Sequence, residues 1–207
     1  MVTLDFDAIR AAPVVMEPFV HFMVPRALTG PSLAAVNTDY PAVSKPGSFP
    51  LHTLHYGGAF KELAALLQGP ELTRIMAEKL DMDLEGRPTM LTVRGMCRPT
   101  DGQIHTDSKG KIVTALLYMN TEWNADGGRL RLLNKPDDLD DYFDEVPPEE
   151  GTLLVFKNAP NAWHGHKPFD GPRRTVQLNW VVGSGYLAKE KVRHTISAFA
   201  KRLKGAA

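Results

Sequence analysis

One cysteine, Cys97, stands in 207 residues, so neither an intramolecular disulfide framework nor a thiolate zinc cluster can be built, and a reducing compartment suits the chain. Charge of one sign is not in excess: 24 Lys plus Arg balance 24 Asp plus Glu, which removes the global field that nucleic acid or an anionic membrane would need. No apolar run approaches the roughly 18 to 20 residues of a membrane span, and "MVTLDFDAIRAAP" carries acids where a secretory signal carries a basic segment. Internal repeats are absent too. What remains is an expected single cytoplasmic domain with no nucleic-acid or membrane partner.

Residues 1–58 mix short apolar runs with proline and glycine, and they read as short strands and loops around an early strand, "FVHFMV". From Ala59 the period changes. Phe60, Leu63 and Leu67 share one helical face, Gly69-Pro70 interrupts it, and Leu72, Ile75, Met76 and Leu80 resume it, predicting two helices. After Arg87-Pro88 come "TMLTVRG", "KIVTALLYMN", "GRLRLL", "GTLLVF", "AWHGHK" and "RTVQLNWVV", a succession that predicts an antiparallel sandwich or barrel. The stretch "KPDDLDDYFDEVPPEE" concentrates eight acids and reads as a solvated loop, with a lid for a cationic substrate as the alternative. Val192, Ile196, Phe199 and Leu203 form one stripe of a C-terminal docking helix.

On a strand, His105 and Asp107 in "QIHTDSKG" project to the same side, so imidazole and carboxylate converge on one point. The later "NAWHGHKP" offers His164 or His166 as a third donor, and two histidines with one carboxylate make the triad that holds non-haem Fe(II) with open positions. In "GPRRTVQLNWVV", Val176, Leu178, Trp180 and Val182 alternate on an apolar face, and counting back puts Arg174 on it, with Arg173 on the polar face. Arg174 is therefore expected to point inward and to need an anion, from the protein or from a ligand. The same alternation aligns Ile112, Thr114, Leu116 and Tyr118.

Together, "HTD", "TALLYMNTEW", "GGRLRLL", "GTLLVF", "WHGHKP" and "GPRR", between about Met90 and Val182, resemble the Fe(II)/2-oxoglutarate-dependent oxygenases, in the prolyl-4-hydroxylase-like branch. The resemblance implies a mainly β fold with flanking helices, a double-stranded β-helix of the jelly-roll, cupin-like kind. Residues 90–182 would be its catalytic core, 1–89 supporting strands and helices, and 183–207 a C-terminal helix. It further implies iron held by His105, Asp107 and His164, with His166 as fallback. The co-substrate 2-oxoglutarate would be held by Arg174 six residues before Trp180, with Arg173 as runner-up, and by Tyr118 and Thr114. With O2, such an enzyme hydroxylates an unactivated carbon of a small-molecule or peptidyl substrate and releases succinate and CO2; retention of Asp107 implies hydroxylation rather than halogenation. The chain departs from the branch at "TVRGMCRP", where Arg94 stands near the place of a tyrosine. The competing readings are a zinc-dependent hydrolase, since the same donors suit catalytic zinc, and a non-catalytic β-sandwich binding protein.

Overall fold

In the computed structural model, which describes residues 1–190, 192 and 193, the strand-rich half after Arg87 folds into two antiparallel sheets. The larger runs β1 (His21–Val24), β7 (Leu153–Lys157), β4 (Lys111–Tyr118), β9 (Gly171–Val181), β3 (Thr89–Cys97) and β2 (Phe49–Pro50). The smaller runs β6 (Tyr142–Val146), β5 (Leu130–Leu133) and β8 (His164–Gly165).

Both faces of the larger sheet are covered. On one, Leu91, Val93, Val113, Leu117, Val176 and Leu178 pack against Phe60, Leu63, Leu72 and Ile75 of the two predicted helices, α3 (Gly58–Leu67) and α4 (Pro70–Leu80). On the other, Leu116, Tyr118, Leu154 and Phe156 meet Leu130, Leu132 and Val146 of the smaller sheet. The result is a sandwich with an outer helical layer, mainly β with flanking helices. Gly69 and Pro70 divide the helices as expected, because proline at a first helical position forfeits no intrahelical hydrogen bond. Asp81 ends α4 in the left-handed conformation, at φ 48°.

Three expectations change. The N-terminal region holds α1 (Phe6–Ala11), whose first turn is capped by Asp5 accepting from the Ala8 amide at 2.8 Å, and α2 (Gly30–Thr38). Pro31 occupies the first turn of α2, where it is tolerated. The acidic stretch contains a strand, β6, because Arg131 on β5 pairs with Glu145 at 2.6 Å and the outer edge leaves acids in water. Ile112 packs toward the helices instead of beside Thr114, since the β4–β9 register shifts between Lys111 and Val113 and hands the inward position to Lys111.

Residues 184–190 are helical and Val192 is exposed; Ile196, Phe199 and Leu203 lie outside the described residues. Among the described residues no helix is long and apolar enough to cross a membrane.

Trp180 is fully buried between β9 and α4, its indole N–H donating to Thr73 Oγ1 at 3.3 Å. Trp180→Ala is expected to cost about 3–5 kcal/mol through the cavity it leaves, whereas Thr73→Ala costs about 1 kcal/mol. Urea unfolding midpoints measure both.

Candidate active site

His105 and His164 are direct partners in an antiparallel bridge: each amide donates to the other's carbonyl at 3.0 Å. That pairing continues the smaller sheet beyond β8 and sets the two rings 4.4 Å apart. Asp107, two residues on, turns to the same side, and one donor atom from each of the three lies within 4.8 Å of the others.

The tautomers follow from the backbone. His105 Nδ1 lies 2.8 Å from the Gln103 carbonyl and His164 Nδ1 lies 3.0 Å from the Ala162 carbonyl. A carbonyl only accepts, so both Nδ1 atoms carry hydrogen and both Nε2 atoms keep a lone pair for a metal. Burial, then the neighbouring His105, pushes His164 down to about 4, which keeps it neutral and ligand-competent at ordinary pH.

Asp107 is held on both oxygens. Lys111 Nζ donates to Oδ1 at 2.6 Å and Thr114 Oγ1 to Oδ2 at 2.5 Å; Asn179 Nδ2 donates to Thr114 Oγ1 at 2.7 Å, and Gln177 Nε2 to Asn179 Oδ1 at 3.0 Å. Burial alone would raise the Asp107 carboxyl, but Lys111, with His164 and the hydrogen bonds from Lys111 and Thr114, brings it below the usual carboxylate value.

The triad opens into a cavity of about 130 Å³ that also meets Tyr118, Arg173, Thr175 and Arg94. A larger cleft of about 600 Å³ lies between α4 and residues 84–89, but no group of three metal-ligating side chains lines it. At the far end of the smaller cavity Arg173 is 6% exposed; its Nε donates to the Gly128 carbonyl at 2.7 Å, and no described carboxylate lies within ion-pair distance. Tyr118 Oη and Thr175 Oγ1 are buried there without a hydrogen-bond partner. Buried donors left unmatched around a guanidinium fit an absent anion, since an unpaired buried charge or hydroxyl costs several kcal/mol. Arg94 lies beside them, and burial, then Arg173, pulls its guanidinium below the ordinary value. The donor set suits Fe(II), and the arginine and hydroxyls suit a carboxylate.

Two site expectations are corrected. Arg174 lies outside this cavity: it lines an outer cleft with Asn37 and Trp123, donates to Asn37 Oδ1 at 3.1 Å, and stacks 5.1 Å from the Tyr40 ring centre. Trp180 shares its face and packs against the helices. The alternation itself was sound, but the apolar face of β9 meets helices, so the polar face, with Arg173, Thr175, Gln177 and Asn179, looks into the sandwich. His166 is not in the triad. Its ring packs over Gly102, where φ is +84° and a Cβ would come within 2.4 Å of the imidazole, and its Nε2 lies 3.9 Å from Cys97 Sγ. Lys111, Thr175, Gln177 and Asn179 were not singled out beforehand; three successive alternating polar residues between buried apolar ones on β9 were the available signal.

Residues 95–182 match the 2OG-Fe(II) oxygenase superfamily. Such oxygenases are dioxygenases that use Fe(II), 2-oxoglutarate and O2. The fold agrees: a prolyl-4-hydroxylase from Pseudomonas putida superposes with a TM-score of 0.57 at 16% identity, over 87% of this chain and 94% of that one. A prolyl 4-hydroxylase from Phytophthora capsici gives 0.53 at 18%, over 78% and 58%. A prolyl hydroxylase from Trichoplax adhaerens, solved with a hypoxia-inducible factor peptide fragment, gives 0.53 at 18%, over 91% and 90%. The oxygenase fold is thus the jelly roll of these enzymes. No curated protein matches the chain in sequence.

His164 and His166 are both pushed down to about 4, His166 by burial and then by Arg173. An unfolded histidine titrates near 6.5, so between about pH 6.5 and 4 the unfolded protein binds protons that the folded one does not. Stability of the metal-free protein is expected to fall through that window as pH drops, by on the order of 3 kcal/mol per histidine. His166→Gln should flatten the slope of urea midpoint against pH; an unchanged slope would show that its environment is not as described.

Proposed function

We propose that His105, Asp107 and His164 hold Fe(II), that Arg173, Tyr118 and Thr175 hold the distal carboxylate of 2-oxoglutarate, and that the oxygenase hydroxylates an unactivated carbon of a small molecule or peptide, releasing succinate and CO2. The observation that carries this reading is a histidine–aspartate–histidine cluster and a buried guanidinium without an acid, facing one another across a single small cavity.

Bound iron supplies the activation of O2, with 2-oxoglutarate as the reductant that is cleaved. The protein's part is positional. Arg173 presents a planar fork that matches a carboxylate, and the Tyr118 and Thr175 hydroxyls are free to donate to the same group. Thr114, Asn179 and Gln177 fix the Asp107 carboxylate from behind, so Thr114 acts through the aspartate rather than on the co-substrate. Leu116, Leu130 and Phe156 close the walls and exclude water. A retained carboxylate donor favours hydroxylation over halogenation.

A hydrolase using zinc would require a further acid or base beside the metal. Among the described residues Asp107 is the only carboxylate lining the cavity, and the buried arginine would have no task in hydrolysis. The Trichoplax enzyme's peptide complex supports a peptidyl substrate as one of the two classes. The single, buried cysteine supports a cytoplasmic location.

Anaerobic addition of Fe(II) and 2-oxoglutarate is expected to give a weak visible charge-transfer band, and His164→Ala to abolish it while His166→Gln retains it. Calorimetry on the Mn(II)-loaded protein should show 2-oxoglutarate binding weakened by at least about 30-fold in Arg173→Gln and by no more than about twofold in Arg174→Gln. Equal losses would remove the assignment of the anchor.

A further inference from the structure

The charges around the cavity do not cancel. Arg94, Lys111 and Arg173 line it against one acid, Asp107, so the lining keeps two positive charges in excess. An iron dication and a 2-oxoglutarate dianion neutralise each other and leave that excess in place. Asp101, a further acid whose charge acts on Arg94, is paired with Arg98 at 3.1 Å. The acidic stretch after Lys135 offers nothing either: Asp140 pairs with Arg131 and Lys167, Asp141 with Lys135, and Glu145 with Arg131, and none lines the cavity.

The surplus has two positions. Arg94 belongs to the closed end, where its charge acts on Arg173, Tyr118 and Cys97. Lys111 belongs to the other end, beside His105, which is exposed, and Asp107. Its side chain is 16% exposed, and Asp107 is the one acid within ion-pair distance of its ammonium. That acid is itself a member of the donor cluster. A carboxylate that ligates a dication has little negative charge left for a lysine, and an ammonium so largely removed from water then needs another anion.

We infer that the primary substrate carries a carboxylate that Lys111 receives beside the metal ligands, so that the oxygenase acts on small acids rather than on neutral side chains of a protein. This rests on the function proposed above. One lysine left over matches a monoanion, and its position at the exposed side of the triad places that anion where a substrate enters. The bulge between Lys111 and Val113 is what turns the lysine inward, since unbroken alternation would put Ile112 there.

The test uses full-length protein loaded with Mn(II) and saturated with 2-oxoglutarate, so that Arg173 is already engaged. Loading is measured first, by calorimetry, and failure at that stage overturns the oxygenase site itself before any probe is added. N-acetyl amino acids, the matching N-acetyl amino-acid amides and inorganic phosphate are then titrated. The expected result is binding of at least some acids with about a tenfold preference over their amides, and over phosphate. Lys111→Gln should erase the preference and Lys111→Arg restore it, each variant being titrated at Mn(II) and 2-oxoglutarate concentrations that saturate it. The inference is overturned if acids and amides bind alike, if none of the acids binds, if phosphate outcompetes them, or if the preference survives Lys111→Gln.

Discussion

Everything at the site depends on one pair of backbone hydrogen bonds, those exchanged by His105 and His164. Residues 59 positions apart become neighbours because each completes the other's peptide groups, and the rings follow the backbone. Asp107 needs no separate positioning: with the chain extended through Thr106, period two delivers its carboxylate to the same side. The local carbonyls of Gln103 and Ala162 then fix both tautomers, so geometry and protonation come from the same short stretches of main chain. A metal site built this way demands little from distant side chains, and what it does demand is hydrogen bonding to the carboxylate.

That demand explains the composition of β9. The strand is buried on both sides, a setting in which simple hydrophobic-in, polar-out reasoning fails. Its apolar residues meet α3 and α4, and its polar residues Arg173, Thr175, Gln177 and Asn179 face the smaller sheet. Buried polar groups are tolerated only when satisfied. Gln177 and Asn179 satisfy one another and Thr114, whereas Thr175 and Tyr118 are left open beside Arg173. The two halves of the inner face thus differ in kind: one hydrogen-bonds the Asp107 carboxylate, and the other leaves two hydroxyls open beside a guanidinium.

The sequence made the members of the triad legible, because strand period and histidine–aspartate spacing are local properties. The helices α3 and α4, each with its own apolar face and a Gly-Pro divider, were legible for the same reason. Which face of β9 held the site was not legible, since alternation says which residues share a face and is silent on what that face meets. Arg174 and Trp180 were grouped together correctly and assigned to the wrong side. Lys111 escaped notice because a bulge, invisible in a pattern of apolar and polar letters, reverses the alternation at Ile112. The helix α2 was not legible because prolines and glycines scattered through residues 1–58 read as strands and loops, whereas Pro31 sits in a first turn, where proline is tolerated.

Charge separates this cavity from an ordinary polar interior. A structural arginine buried in a core brings its own acid, because desolvation of a lone guanidinium is repaid only by a close partner. Here Arg94 and Arg173 line one cavity in which Asp107 is the single described carboxylate, and burial, then Arg173, lowers the Arg94 guanidinium from its ordinary value, an arrangement that folding alone would not favour. Occupancy by anions would offset that cost, since binding to the folded state alone stabilises that state by mass action. Arg94 therefore bears on more than one residue: with Arg173 and Lys111 it sets three positive charges against the single described carboxylate of the cavity, Asp107, an excess that favours negatively charged occupants.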